Sequence, residues 1–569
     1  MENKQIRRTF KLMASLMELH EENPFKIKSY QNAVMVLERI DSPLEGLSEK
    51  QLEHFDGIGK NIAAKIVELN QTGSFADLNK LLEITPPGVV EMLNIKGIGP
   101  KKIRTIWKEL GIETTQQLLE ACENDQIAKL KGFGAKTQET LKNALLYSEE
   151  SKGKLLWAEA EIPAEDLKNL LRENLQTDLV ELTGEYRRRL EIIETLQLVI
   201  GTENPVKTQE QLNEISALEQ DPKLSGPFAW RGTISEIGLK LEVKLVSPAD
   251  FVNEVFRSSA TDAHLSQAYN GSETLYQLLK KQTFASEASV YEKAGLKFIE
   301  PEMREGYGEL ELARENKLPK LLTDADLKGI LHNHSTYSDG THTLEQMAVF
   351  CKEAGYQYLG ICDHSKSAFY ANGLQEGRVM AQHREIEKLN QELAPFKIFK
   401  GIESDILNDG SLDYEEAILK TFDFVVASVH SNLKMTEEKA TERLINAIRN
   451  PYTTMLGHPT GRLLLRREGY PIDHKAVIDA CAENGVIIEI NANPWRLDLD
   501  WRWVHYALEK GVMLSINPDA HSTSGYADMR YGVLMGRKGG LTAEMTFNAK
   551  SREEVEAYFL QRKKEKGIL

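Results

Sequence analysis

The chain has 569 residues, a formal net charge of −16 and four cysteines. That length is too great for one hydrophobic core, so three to four domains are expected. The scattered Cys122, Cys351, Cys362 and Cys481 contain no C-x-x-C pair, so neither a disulfide framework nor a cysteine metal site is indicated. No stretch is apolar enough to span a membrane and residues 1–20 are charged and amphipathic rather than signal-like, so a soluble, cytoplasmic protein with no membrane partner is expected.

Residues 1–150 carry apolar positions at three- and four-residue spacing, broken by glycine turns, and read as helical. One short motif recurs three times: Gly57-Ile-Gly59-Lys60, Gly97-Ile-Gly99-Pro-Lys101 and Gly132-Phe-Gly134-Ala-Lys136. Each lies between a leucine-bearing helix and a lysine-bearing one. Such a turn exposes backbone N–H groups beside the positive end of the second helix, a geometry that holds one DNA phosphate. The plain alternative is a helical turn with no ligand. The acidic total charge weighs mildly against DNA, but local patches matter more than the sum.

Residues 151–317 show strand-like runs at 178–182, 195–200 and 239–246, the last alternating apolar and charged residues as a half-buried strand does, so this region reads as α+β. Residues 318–327 read as a linker. From 328 to 569, seven short apolar runs begin at Gly329, Tyr358, Phe396, Phe424, Thr453, Val486 and Val512, with helical stretches between them. That is the pattern of a parallel β/α barrel, whose active site forms where strands end. Just past these runs stand His332, His334, Asp339, Asp363-His364, Glu403, His430, His458, Asp519 and His521. Residues at i and i+2 of a strand point the same way, so His332 and His334 can reach one metal. Mixed imidazole and carboxylate donors suit Mn or Zn, with Fe or Mg as further options. The plain alternative, satisfied polar residues in a barrel, fits the other histidines (His20, His54, His264, His342, His383, His474 and His505).

The chain as a whole resembles a bacterial family X DNA polymerase with a C-terminal polymerase-and-histidinol-phosphatase (PHP) domain. The resemblance rests on the three hairpins, Gly184-Glu-Tyr-Arg-Arg, Phe298-Ile-Glu-Pro-Glu-Met-Arg-Glu, His332-Asn-His-Ser-Thr-Tyr-Ser-Asp-Gly, Asp363-His-Ser, Gly401-Ile-Glu, Ser428-Val-His-Ser, Gly457-His-Pro-Thr and Pro518-Asp-Ala-His. It implies a multidomain architecture: a helix-hairpin-helix lyase-like, DNA-binding domain (1–85), a fingers-like helix-hairpin-helix domain (86–150), a degenerate nucleotidyltransferase-like palm and thumb (151–317), the linker (318–327) and a distorted, TIM-like (β/α)7 PHP metallohydrolase barrel (328–569).

The resemblance also implies site residues. It groups His332, His334, Glu403 and Asp519 around one ion, with Glu403 bridging to a second held by His430 and His458. It assigns Asp339, His364 and His521 to a third. In the polymerase part, Glu185 stands where the family has a triphosphate-binding serine, and Thr195 and Gln197 stand at its metal-binding Asp pair. Only Glu242 keeps its charge, and Arg188, at the family's triphosphate arginine, is left as a surface charge. Two-metal phosphoryl transfer needs oxyanions to bridge both cations, so polymerase activity is expected to be lost. Lys65 aligns with the family's Schiff-base lysine and Tyr30 with its neighbour. The bland reading of Lys65 is a helix lysine facing a DNA phosphate.

Around the barrel mouth Arg462, Lys366, Arg496 and Asn493 are candidate phosphate contacts, and Tyr337 and Trp495 candidate base-stacking residues. The expected activity is metal-assisted phosphodiester hydrolysis: a 3′→5′ exonuclease or 3′-end processing enzyme of DNA repair, in particular base excision repair, acting on gapped, nicked or 3′-ended DNA. The alternatives are a small-molecule phosphatase of the histidinol-phosphatase type and an active polymerase with abasic-site endonuclease activity. No protein partner is inferable.

Overall fold

The computed structural model describes residues 1, 3–38, 40, 42–95 and 98–569. They form two compact units, Met1–Lys152 and Gly153–Leu569.

The first unit is helical. A single hydrophobic core runs from Ile6 to Leu145, so the segments 1–85 and 86–150 share one interior. Three of its helices, Lys60–Thr72, Pro100–Leu110 and Ala135–Ser151, begin on Gly59, Gly99 and Gly134. Gly57 and Gly132 hold the preceding turns at φ +89° and +85°. At Gly57 a Cβ would also lie 2.6 Å from Val36, so the turn tolerates no side chain.

The second unit joins the α+β region to the barrel. A five-stranded sheet takes the order Val180–Thr183, Thr195–Gly201, Leu239–Val246, Ala229–Ile234, Leu218–Gln220, with only the second and third strands parallel. The barrel strands all run parallel. Gly329–Leu331, Tyr358–Ile361 and Lys397–Lys400 form one sheet; Glu403–Asp405, Val426–Ser428, Met455–Leu456, Ile487–Asn491 and Leu514–Asn517 form the other. The third run is thus broken between Lys400 and Glu403. A Cβ at the intervening Gly401 would fall 2.6 Å from Cys362 Sγ and from the Ile361 carbonyl oxygen. A glycine there lets the chain step inward and aim Glu403 at the axis. The bridge His364↔Glu403 joins the two sheets on that side. On the other, the Asn548 amide donates to the carbonyls of Gly329 and Ile516 and closes the seam between first and last strands.

The segment 318–327 is not a loose tether. Leu322 is buried, its N–H donates to the Leu541 carbonyl, and Leu327 joins the barrel core. Buried polar contacts also fasten the α+β region to the barrel. The Trp501 indole and Arg502 donate to Glu191, and Lys538 donates to the Arg188 carbonyl and to Glu305. Burial pulls the Lys538 amine down to about 8 despite Glu305.

Candidate metal centre

All nine acidic and imidazole candidates converge at the carboxyl ends of the barrel strands. Glu403 is the hub. Its Oε1 lies 3.2 Å from His332 Nε2, 3.1 Å from His430 Nε2 and 3.0 Å from His458 Nε2, and its Oε2 2.9 Å from His364 Nδ1. Asp519 Oδ1 is 3.0 Å from His334 Nε2 and 3.7 Å from His332 Nε2. Asp339 Oδ1 lies 3.4 Å from His521 Nε2 and 3.7 Å from His364 Nε2. Three sets of ligand atoms are close enough to hold an ion: His334, Asp339, His364 and His521; His332, His334 and Asp519; His364, Glu403 and His430. His334 and His364 each belong to two sets. This partition differs from the one the family resemblance implies, in which they serve one ion each. His332 reaches the cluster from a left-handed backbone (φ +79°), not from the pleat, because the first strand ends at Leu331.

The cluster is inside the protein on one side and open on the other. His332, His334, Glu403 and His458 are buried, while the Asp339 and His521 side chains are about a third and two-fifths exposed. Burial would raise Glu403, but His430, His332 and His364 hold its carboxyl well below the usual range. Burial would lower His430, but Glu403 and Asp405 outweigh it and push the imidazole up to about 10. His334, buried and facing His521 and His364, is pushed down to about 3. Buried His334 Nδ1 and His458 Nδ1 have no hydrogen-bond partner among the described residues, and His364 Nδ1 and Glu403 Oε2 face each other at 2.9 Å without hydrogen-bond geometry. Such atoms are costly to bury and are the donors a cation satisfies. The set fits a polynuclear centre of borderline transition metals.

Sequence reasoning missed the carboxylates behind the cluster. Glu489 accepts from His332 Nδ1 at 2.6 Å, from the His458 backbone N–H and from Asn491 and Asn517. Asp405 pairs with His430 Nδ1 at 2.5 Å. These contacts orient the imidazoles with Nε2 toward the axis. The available signal was an acid inside an otherwise apolar strand run, Val486-Ile-Ile-Glu489-Ile. Asp363 takes hydrogen bonds from Ser335, Ser338 and Gln382 and so clamps the loop that carries Asp339.

Several expected substrate contacts are otherwise engaged. Arg462 is spent on Asp500 (2.5 Å) and on the Arg496 and Leu497 carbonyls, so it braces the 496–500 loop and has little left for a phosphate. Lys366 pairs with Glu376, and the Asn493 side chain caps Trp495 N–H. Tyr337 is tied to Glu385, and the Trp495 face is covered by Arg466 at 3.2 Å. Arg496 does stand at the cluster, 3.4 Å from Asp519.

The polymerase-like centre is filled from within. The Gln197 amide donates to Glu242 at 3.0 Å, and Arg231 donates to the other Glu242 oxygen at 3.0 and 2.6 Å. Burial would raise Glu242, but these bonds hold it below the usual range. Gln197 also occupies the space over Gly184, where a Cβ would lie 1.9 Å from its Oε1. Glu185 turns to cap the Glu194 and Thr195 N–H groups. Arg188 is a paired, half-buried group rather than a surface charge, 3.1 Å from Glu305.

In the first unit, Lys60, Lys101 and Lys136 are exposed in the first turns of helices that carry no acidic residue there and no side-chain cap. Gly97 lies outside the described residues. Pro100 leaves the second hairpin one donor short. Lys65 is bound to Asp77 at 2.9 Å and packs over Phe75, beside buried Tyr30, whose phenol burial pushes up to about 12.

Helical hairpins followed by a parallel barrel with a histidine-and-carboxylate mouth define a class of DNA-directed metal-site proteins, and the matched families agree. Residues 1–75 match the helix-hairpin-helix domain, 89–145 the SAM-like helix-hairpin-helix tandem and 331–493 the PHP domain. The chain is 34% identical over 575 residues, 98% of its own length and 99% of the relative's, to the protein named DNA polymerase/3′-5′ exonuclease PolX of Bacillus subtilis (strain 168). It therefore belongs to the PolX family of family X DNA polymerases with a PHP domain. The barrel alone is similar to a protein named "Probable phosphatase" of Acetivibrio thermocellus, 28% identical over 41% of this chain and 95% of that one. A second protein so named, from Caldicellulosiruptor saccharolyticus, is 32% identical over 28% of this chain and 64% of its own length. Among the described residues, no helix is long and apolar enough to cross a membrane.

Proposed function

We propose that this chain is a metal-dependent DNA 3′→5′ exonuclease or 3′-end processing enzyme of DNA repair, and that its polymerase centre is retired. The single observation that carries the proposal is the convergence of buried imidazole nitrogens on Glu403 in a family whose Bacillus relative is named for such an activity. The ligands would be His332, His334, Asp339, His364, Glu403, His430, His458, Asp519 and His521, holding up to three ions of Mn or Zn, with Fe or Mg as further options. Bound there, the cations would supply Lewis acidity to the phosphoryl group and make water more acidic. The chain's own residues do the rest. Glu489 and Asp405 keep His332 and His430 in register. Arg496 offers its guanidinium to a phosphoryl oxygen. Asp339 and His521 leave the mouth open to a DNA end.

The loss of polymerase activity rests on charge. Gln197 is neutral, and both Glu242 oxygens already accept N–H donors from Gln197 and Arg231. A pair of Mg ions would find one carboxylate where bridging oxyanions are required. The hairpins would hold the DNA backbone through Gly57, Gly59, Lys60, Gly97, Gly99, Lys101, Gly132, Gly134 and Lys136. Lys65 is engaged by Asp77, so it is assigned to structure rather than to a lyase.

The "Probable phosphatase" relatives of the barrel favour a second reading, phosphatase action on small phosphomonoesters. One experiment separates the two. End-labelled single-stranded and gapped DNA are incubated with Mn and either the wild type or His334→Ala. Stepwise 3′ shortening that disappears in the variant supports the exonuclease. Turnover of small phosphomonoesters with neither DNA binding nor DNA cleavage supports the phosphatase. Templated nucleotide addition by the wild type would overturn the loss of polymerase activity.

A further inference from the structure

We propose that Phe369 and Tyr370 form a stacking platform for the nucleobase at the 3′ end of a DNA strand whose phosphodiester enters the barrel mouth; this rests on the exonuclease reading above. The two rings sit on a short 3-10 turn, Phe369–Ala371, in the loop after the second barrel strand. Phe369 is 82% exposed and Tyr370 70%.

The loop buries the wrong residues for a merely structural turn. Ala368 and Ala371 are packed away while the two large rings face solvent. Single exposed aromatics are ordinary, and the chain has others. An adjacent pair at a reaction centre is the kind of patch that marks a binding surface.

The loop is held, not loose. The Ala368 and Gly373 N–H groups close turns onto Ser365 and Ala368, and Leu374 N–H donates to the His364 carbonyl. A Cβ on Gly373 would lie 1.9 Å from the Ser365 oxygen. The Asn372 amide reaches the Ser338 carbonyl at 3.3 Å, and Arg378 reaches the Asn372 carbonyl at 2.9 Å.

The position fits a nucleotide. The Tyr370 ring meets the His364 ring edge-on at 6.0 Å, so a base laid on the platform is one sugar-phosphate step from the cluster. Arg496 stands at the same mouth, 3.4 Å from Asp519. The surface therefore combines π-faces with a cation for the backbone, the two elements of sequence-tolerant single-strand binding. Tyr337 and Trp495, the stacking candidates named from the sequence, have their polar tip or their face engaged elsewhere.

The test uses the full chain with Mn and two single-stranded oligonucleotides. One ends in two ordinary nucleotides, the other in two base-less tetrahydrofuran residues. The double variant Phe369→Ala/Tyr370→Ala should lose about tenfold or more in kcat/KM on the ordinary end and stay within about twofold on the base-less end, given the usual worth of a base–aromatic stack. Tyr370→Phe should match the wild type, since the ring and not the hydroxyl stacks. Equal losses on both ends, or none on the ordinary end, would overturn the platform. A 2-aminopurine at the 3′ end reports stacking without turnover. Its fluorescence should be quenched on the wild type and not on the double variant. Quenching without cleavage would sink the exonuclease reading and leave the platform standing; cleavage without a difference in quenching would do the reverse.

Discussion

Two acid-bearing centres lie in the same compact unit, and their contrast shows what leaves a site able to take cations. At the barrel mouth, carboxylate and imidazole atoms face one another with several hydrogen-bonding positions unfilled. In the α+β region the surviving Glu242 is saturated by Gln197 and Arg231. Both centres retain carboxylates. Only the first keeps atoms whose burial makes sense with a cation, because an unpartnered buried donor or acceptor costs about 1–3 kcal/mol. In the second, an internal ion pair and an amide hydrogen bond already satisfy the carboxylate.

The largest expected effect tests the hub. Glu403→Gln should reduce hydrolysis of end-labelled DNA by about 10³-fold or more, since it removes charge from the carboxylate that His332, His364, His430 and His458 all face. Cation content measured by mass spectrometry should fall with it; near-normal activity would show that the hub is elsewhere. Glu489→Gln acts at one remove. It leaves every ligand in place but weakens the hold on His332, so cation affinity should drop about 10- to 100-fold and excess Mn should restore activity.

Gln197→Asp attacks the other centre. It sets a carboxylate against Glu242, which should cost about 1–3 kcal/mol in metal-free buffer through like-charge repulsion and a broken hydrogen bond. Urea denaturation should show part of this cost recovered by added Mg or Mn. No loss, or no response to the cation, would mean that the pair had relaxed apart. Replacing Lys60, Lys101 and Lys136 together should flatten the salt dependence of DNA binding by about one unit of slope for each phosphate no longer neutralised.

The smallest effect concerns pH. His264 is buried between Glu309 and Tyr291, and burial keeps its pKa below the ordinary 6.5 despite Glu309. The unfolded chain then binds the proton more readily than the folded one. Stability should therefore be level above 6.5 and fall as the pH drops beneath it. Denaturation midpoints for wild type and His264→Gln, compared across that range, measure the difference.

Much of the barrel was legible along the chain. The seven apolar runs became strands, and the nine polar residues past them became the mouth, because parallel buried strands and strand-end sites each leave a local trace. The contacts of Asp405 and Arg462 left none, and Glu489 left only an acid within an apolar run. Glu489 looks like the polar face of a strand until His332, 157 positions away, is seen to donate to it. Arg462 follows a histidine motif and looks like a phosphate hook until Asp500 and two carbonyls absorb its donors.

Residue order by itself determined the hairpins, the barrel and the inventory of candidate metal-binding groups, since these depend on spacing and residue type. Tertiary structure alone decided which groups are left wanting a partner and which are already satisfied. That distinction is a matter of hydrogen bonds made between distant segments, and it separates a centre able to take cations from one that has closed over itself.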